Sequence, residues 1–161
     1  MKKLVSVAIA LIVAVMTMSA QNSSAFKQGY HGVVSVSGNV GVNKGVPNNC
    51  IELSTTHGYN FGDGVYMGGG VGLNIALNGN LSSIPIFYEM KYNIIDWKIS
   101  PYVSCQIGTS ILGLDGPNLA FLASPRVGLD YRKVSICAGY KCEAGELNKF
   151  HSVTLSMAIN F

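Results

Sequence analysis

Apolar and polar residues alternate along eight segments of this sequence, and the alternation restricts the possible folds more than any other feature does. On an extended strand, successive side chains point to opposite faces, so each segment has one apolar face and one polar face. No helical period of 3.6 residues competes with this pattern. The segments span residues 30–42, 51–61, 65–77, 84–94, 99–110, 123–132, 134–143 and 151–161. The sequence therefore predicts an all-β protein built from eight strands.

Charged residues in these segments lie on only one of the two faces. A soluble barrel would bury its apolar face and cover its exterior with Lys and Glu. A membrane barrel turns the apolar face to lipid, where a Lys or Arg at the bilayer midplane costs about 2–4 kcal/mol. The apolar faces contain no Asp, Glu, Lys or Arg, which favours the membrane. The polar-face charges, which we expect to form a network in the lumen, are Glu52, Glu89, Lys91, Arg126, Asp130, Arg132, Lys141 and Glu143.

The composition agrees with a protein in lipid. Hydrophobic residues make up 48% of the chain and charged residues 12%, yet beyond the N-terminus no apolar run reaches the roughly 20 residues of a spanning helix. Strands spread apolar residues over every second position, so a barrel reconciles the two observations. An unpaired strand edge in lipid would leave backbone groups without partners, so the strands must close. The predicted fold is an eight-stranded antiparallel up-and-down transmembrane β-barrel.

The N-terminal residues have the layout of a secretory signal peptide. Lys2 and Lys3 precede an apolar run over residues 4–18, and small residues follow. This run is shorter than the roughly 20 residues of a membrane-spanning helix, which argues against a permanent anchor. We expect a signal peptide over residues 1–20, with cleavage as late as Ala25, and a barrel domain over residues 26–161.

The connections between segments indicate an orientation. Polar links at residues 43–49, 78–83, 113–118 and 144–149 alternate with tighter links at residues 62–64, near 96 and at 132–133. Outer-membrane barrels have short periplasmic turns and longer outer loops, so we expect both chain ends on the periplasmic side. Aromatic rings prefer the membrane interface. The aromatic girdle predicted there consists of Tyr30, Tyr59, Phe61, Tyr92, Trp97, Tyr131 and Phe161.

Residues 65–77, 84–93 and 99–108, together with a last amphipathic strand that ends on Phe161, resemble the OmpA/OmpX-like eight-stranded outer-membrane barrels. The form is similar to the "porin family" barrel proteins of Bacteroidetes-type bacteria and covers roughly residues 30–161. The resemblance implies an outer-membrane location, contact with membrane lipid and lipopolysaccharide, a monomer, and recognition of the terminal aromatic by the barrel-assembly machinery. The short outer loops and the four cysteines depart from the family pattern.

The predicted lumen network suggests a passive role in the cell envelope. An eight-stranded barrel is about wide enough for side chains to fill, and buried charges are tolerable when paired. We therefore expect a structural or surface-interaction protein without a cofactor. The alternative is a narrow pore for ions or small solutes along the same charges. The net charge of +3, without a basic cluster, argues against nucleic acid as a partner.

A lipid-modifying enzyme is a further alternative, because some chemistry-bearing side chains lie on the predicted barrel wall. His151 and Ser152 are adjacent and so point to opposite faces. His57 faces lipid beside Thr55 without an acid on that face of its strand. A nucleophile needs a base within hydrogen-bond reach, so we expect no enzyme. A surface-interaction module would use the loops at residues 43–49 and 113–118.

Two further features have structural interpretations. The glycines at residues 68–72 lack the Lys-Ser/Thr of a phosphate-binding loop, and we expect them to allow close packing of side chains in the lumen. Cys50, Cys105, Cys137 and Cys142 have no zinc-site spacing. We expect no metal site, and the cysteines to act as small apolar residues without a predicted bridge.

Overall fold

A computed structural model describes residues 26–42, 49–77, 81–112, 118–145 and 149–161 as one closed antiparallel barrel. Each strand pairs with the next in sequence, and β8 pairs with β1. The strands are β1 Gly29–Gly41, β2 Cys50–Asn60, β3 Val65–Ala76, β4 Leu81–Asn93, β5 Ile99–Leu112, β6 Asn118–Tyr131, β7 Val134–Gly145 and β8 Lys149–Asn160. Among the described residues, no helix is long and apolar enough to cross a membrane. The predicted eight-stranded up-and-down barrel is confirmed.

Pairing between β1 and β8 closes the sheet. The register runs from Val33 opposite Asn160 to Gly41 opposite Ser152. Beyond β8, the backbone of Phe161 exchanges two hydrogen bonds of 2.8 Å with Gly32. The Phe161 ring covers Gly32 so closely that a Cβ there would lie 2.5 Å from a ring carbon. Closure gives the edges of the first and last strands hydrogen-bond partners, as a barrel in lipid requires.

The two faces of the sheet have the distribution that the charges predicted. Apolar side chains cover the exterior, and Leu155, midway along β8, is 64% exposed. Polar side chains fill the interior, where Glu52 is 1%, Lys141 3% and Arg126 5% exposed. A soluble protein rarely exposes a continuous apolar surface of this extent. The exterior therefore requires a lipid environment.

Several strands extend further than the sequence predicted. Strand β4 begins at Leu81 and β6 at Asn118, inside segments that we expected to be loops, because polar residues there still pair their backbones with the neighbouring strand. We call the end of the barrel where β1 begins and β8 finishes the terminal end, and the other end the distal end. Turns 61–64, 94–98 and 132–133 lie at the terminal end. The strand ends that are joined by residues 42–49, 77–80, 113–117 and 146–148 lie at the distal end. We predicted that the distal connections are longer than the terminal turns. This is wrong except for the connection between β1 and β2.

Some predicted features lie outside the described residues. These are the signal peptide with both of its cleavage sites, and the centres of the distal connections at residues 43–48, 78–80, 113–117 and 146–148. The four cysteines all lie on described strands and are free thiols.

Glycines of β3 make room for aromatic rings in the lumen. A Cβ on Gly70 would lie 2.6 Å from the Phe87 ring and 2.8 Å from the Thr55 carbonyl oxygen. Phe87 and Tyr66 are both buried in the interior. Gly69, which faces the other way, has nothing within 4 Å of its Cβ position. At Gly70, the missing side chain thus lets the Phe87 ring pack closely against the backbone of β3.

An arginine at the middle of the lipid-facing surface should destabilise the barrel. We expect Leu155→Arg to lower the free energy of unfolding by about 2–4 kcal/mol, because the guanidinium would enter hydrocarbon. The measurement is urea unfolding of the refolded protein in phospholipid vesicles, with the folded fraction read from heat-modifiable mobility on a gel. Leu155→Ile is the matched control and should change little. Equal stability of the two variants would contradict a lipid-facing position.

Candidate functional site

An ion-pair network crosses the lumen between β2 and β7. The Lys141 ammonium donates to Glu52 at 2.7 Å, and it also lies 3.3 Å from a carboxylate oxygen of Glu143. Strands β1 and β8 separate β2 from β7 in the barrel, so the pair spans the interior rather than two adjacent strands. We call Glu52, Lys141 and Glu143 the distal network.

Amides and a hydroxyl complete the distal network. Asn39 donates to Glu52 at 3.4 Å and accepts from Thr154 at 2.6 Å. With its amide oriented to satisfy both of its polar atoms, Asn74 donates to Glu52 at 3.0 Å and accepts from Lys141 at 2.9 Å. A buried ion pair is tolerable only when further hydrogen bonds satisfy its remaining donors and acceptors. These contacts meet that requirement for Glu52 and Lys141.

A second network lies near the terminal end. The Asp130 carboxylate accepts from Lys91 at 2.6 Å, from Asn93 at 2.7 Å and from Ser135 at 2.5 Å. The Lys91 ammonium also lies 4.0 Å from the centre of the Tyr102 ring, which suits a cation–π interaction. These contacts join β4, β5, β6 and β7. We call Lys91, Asp130 and Asn93 the terminal network.

Two charged side chains between these networks have no ion pair among the described residues. Glu89 accepts hydrogen bonds from Gln106 at 3.1 Å and from Thr56 at 3.5 Å. Arg126 donates from Nε to Ser124 at 3.1 Å, while its buried Nη2 has no hydrogen-bond partner. The predicted lumen charges are therefore divided into two paired groups and two separate ions.

Arg132 departs from the predicted set. Strand β6 ends at Tyr131, and Arg132 has a φ of 55° in the two-residue turn to β7. Its side chain is exposed, and its guanidinium carbon lies 5.6 Å from the centre of the Tyr131 ring. The prediction of a lumen-network position was wrong, because it extended the strand by one residue into a tight turn.

A cavity of about 710 Å³ occupies the terminal half of the lumen. Residues of the terminal turns, among them Trp97, Lys98 and Arg132, form its mouth. Its walls include Glu89 and Arg126, but the cavity does not reach the distal network. The lumen is thus open at the terminal end, and the buried side chains of Glu52, Asn74 and Lys141 lie beyond the cavity.

The predicted aromatic girdle lies at the terminal end. Each of its residues is in a terminal turn, at the terminal end of a strand or just beyond it. All are exposed except Phe161, which is half-buried. Tyr59 and Phe61 meet edge to face with ring centroids 5.5 Å apart. The residues in this band are Tyr30, Tyr59, Phe61, Tyr92, Trp97, Tyr131 and Phe161. Such a band suits a membrane interface.

Sequence reasoning missed two hydrogen-bonded histidine–tyrosine pairs on the exterior. The Tyr30 hydroxyl and His57 Nδ1 are 2.5 Å apart, and the Tyr140 hydroxyl and His151 Nδ1 are 2.8 Å apart. In each pair the partners lie two residues out of register on adjacent strands. Only the strand register reveals such diagonal neighbours, and the sequence alone does not provide it.

The exterior histidines have hydroxyl partners. Thr55 Oγ1 lies 3.0 Å from His57 Nε2, so one imidazole contacts both Thr55 and Tyr30. Among the described residues, no carboxylate contacts His57 or His151, and no group of three metal-ligating side chains is present. His31 points into the lumen, with its ring centroid 5.5 Å from that of Tyr66. The arrangement lacks an acid that could orient an imidazole as a base.

Comparison with solved structures identifies the architecture. Neisserial surface protein A has a TM-score of 0.63 and 12% sequence identity, over 83% of this chain and 97% of that protein. The N-terminal β-barrel domain of Pseudomonas aeruginosa OprF has a TM-score of 0.53 and 16% identity, over 84% and 100%. The fold is that of the small outer-membrane β-barrels. The predicted OmpA/OmpX-like form is thereby confirmed as a fold.

Outer-membrane barrels of this fold include an enzyme. The structure of the outer membrane enzyme PagL matches with a TM-score of 0.54 and 15% identity, over 79% of this chain and 98% of that one. No family model and no curated protein matches the sequence. The outer-membrane barrel fold is therefore compatible with catalytic and non-catalytic proteins alike.

Removing the charge of Lys141 should destabilise the barrel strongly. We expect Lys141→Met to lower the free energy of unfolding by about 3–5 kcal/mol, because Glu52 would remain buried without its cation. Adding Glu52→Gln should restore part of the loss. Lys98→Met makes the same chemical change at an exposed turn residue and should have little effect. Urea unfolding in vesicles measures the stability of the wild type and the three variants. A double variant no more stable than Lys141→Met would contradict the pairing of Lys141 with Glu52.

Proposed function

We propose that this chain is an integral protein of the bacterial outer membrane, with a structural, non-conducting role in the cell envelope. It would lie as a monomer among lipid and lipopolysaccharide, after insertion by the barrel-assembly machinery. Its terminal end would face the periplasm. Any surface interaction would involve the distal connections, whose centres at residues 43–48 and 113–117 lie outside the described residues.

The distal network is the observation that supports this proposal. Lys141 is held by Glu52, Glu143 and Asn74, and all these side chains lie inside the barrel. An ion crossing the lumen would have to separate a buried pair, which leaves each charge uncompensated at a cost of several kcal/mol. The cavity at the terminal end does not reach past this network. A barrel filled in this way suits mechanical stability better than transport.

The contacts of the exterior histidines support a non-catalytic role. His57 contacts the hydroxyls of Thr55 and Tyr30, and His151 contacts that of Tyr140. Amphipathic rings with a polar partner are favourable at a membrane interface. The same contacts give both ring nitrogens of His57, and Nδ1 of His151, hydrogen-bond partners on an apolar surface. A role in anchoring the barrel accounts for them without a reaction.

Conductance measurements test the proposed non-conducting role. We expect wild-type protein in planar bilayers to show no steady single-channel steps, because the distal network blocks the lumen. The double variant Glu52→Ala/Lys141→Ala should conduct, whereas Glu89→Ala, which only widens the existing cavity, should not. Stable wild-type channels would contradict the structural role and favour the pore, whether or not the double variant folds.

An activity assay tests the absence of catalysis. Folded wild-type protein, incubated with phospholipid and with lipopolysaccharide in detergent, should release no fatty acid. The reason is that, in the part of the chain that the structure describes, no acid contacts either exterior imidazole. Release that His57→Ala abolishes and His151→Ala preserves would overturn this part of the proposal and assign the reaction to the site at Thr55.

A further inference from the structure

The side chain of Arg126 is buried in the lumen without a counter-ion in contact. It is 5% exposed, and no carboxylate of the described residues lies within ion-pair distance of it. Its Nε donates to Ser124, but its Nη2 has no partner. Removing a guanidinium from water costs several kcal/mol unless its donors are satisfied. This side chain therefore has binding capacity that the protein itself does not use.

Arg126 lines the terminal cavity, which is large enough for an organic molecule. The cavity volume of about 710 Å³ falls within the range of roughly 300–1,000 Å³ that is usual for ligand sites. Tyr66 lines the same cavity, and its buried hydroxyl also lacks a hydrogen-bond partner. Two residues with an unsatisfied donor thus line the same cavity. Unpaired buried donors are rare in native proteins and call for a partner.

The charge around the cavity favours an anion. Among the residues that the structure describes, its lining contains five cationic and three acidic side chains. Of the acidic ones, Asp130 is paired with Lys91 and Glu89 is held by neutral donors. The third, Asp96, is exposed in a terminal turn. Lys98 and Arg132 are exposed at the mouth. Cations at the entrance of a cleft attract anionic solutes.

We propose that this cavity binds a small organic anion that enters from the terminal end, with Arg126 pairing to its carboxylate or phosphate group. A guanidinium presents its donors in a planar fork that matches both groups. Glu89, on the wall of the same cavity, is placed to accept a hydrogen bond from a hydroxyl or amine of the ligand. The ligand class is therefore a hydroxylated or aminated small molecule with one anionic group. The site uses only the terminal half of the lumen, so it is independent of the distal network.

The protein contains its own reporter for this site. Trp97 is the only tryptophan of the chain and lies at the cavity mouth. We would titrate the refolded protein in detergent with glucose 6-phosphate, gluconate and glucose, and record tryptophan fluorescence and the thermal unfolding midpoint. Glucose 6-phosphate and gluconate carry the phosphate and the carboxylate on similar hydroxylated scaffolds, and glucose is the neutral control.

We expect a saturable fluorescence change and a raised unfolding midpoint with at least one of the two anions, and neither effect with glucose. A response to one anion alone identifies its group as the recognised one. Arg126→Gln should weaken binding by about tenfold or more, the effect of losing a hydrogen bond to a charged group. Arg132→Gln, at the exposed mouth, should change the affinity much less.

Two results would overturn the proposal. One is the absence of a saturable response to both anions in the wild-type protein, which needs no variant to fold. The other is equal affinity of the wild type and a folded Arg126→Gln variant. A conducting wild-type barrel would contradict the proposal that the distal network blocks the lumen, but it would leave these titrations interpretable. The two proposals can therefore fail separately.

Discussion

The pairing of β1 with β8 is the constraint on which the rest of this structure depends. A sheet in lipid has no water to satisfy the backbone of an open edge, so the eight strands must close on themselves. Closure leaves a narrow interior, and alternation then directs every second side chain into it. The charges that would be costly in hydrocarbon are collected in this space. Interior pairing is thus a consequence of the membrane rather than an independent property.

The two halves of the lumen handle their charges differently. At the distal network, Lys141 lies between two carboxylates, and amides give Glu52 and Lys141 further hydrogen bonds. Toward the terminal end, Lys91 and Asp130 are paired, whereas Arg126 and Glu89 border an open cavity without an ion pair. One half is therefore packed around paired charges. The other retains polar groups whose partners can come from outside, which is the usual difference between a structural and a binding region.

The sequence predicts the faces of this barrel because parity along a strand is a local property. The eight strands, their apolar exterior and the inward charges all follow from it. Partners across the lumen do not follow, because Lys141 and Glu52 are 89 positions apart and their approach depends on strand register. The diagonal pair of Tyr30 and His57 was not predicted, for the same reason. Arg132 shows a different limit, since parity does not indicate where a strand gives way to a turn.

The distance in sequence between β1 and β8 has a kinetic consequence. The hydroxyls of Ser37 and Ser156 meet across the closing strands although they are 119 positions apart. Contacts of such long range slow folding, because the entropy of a large loop must be lost before they form. The first strand therefore keeps an unpaired edge until the last one arrives. During that interval the open edge of β1 can pair with another chain, so closure also protects the folded protein from edge-to-edge association.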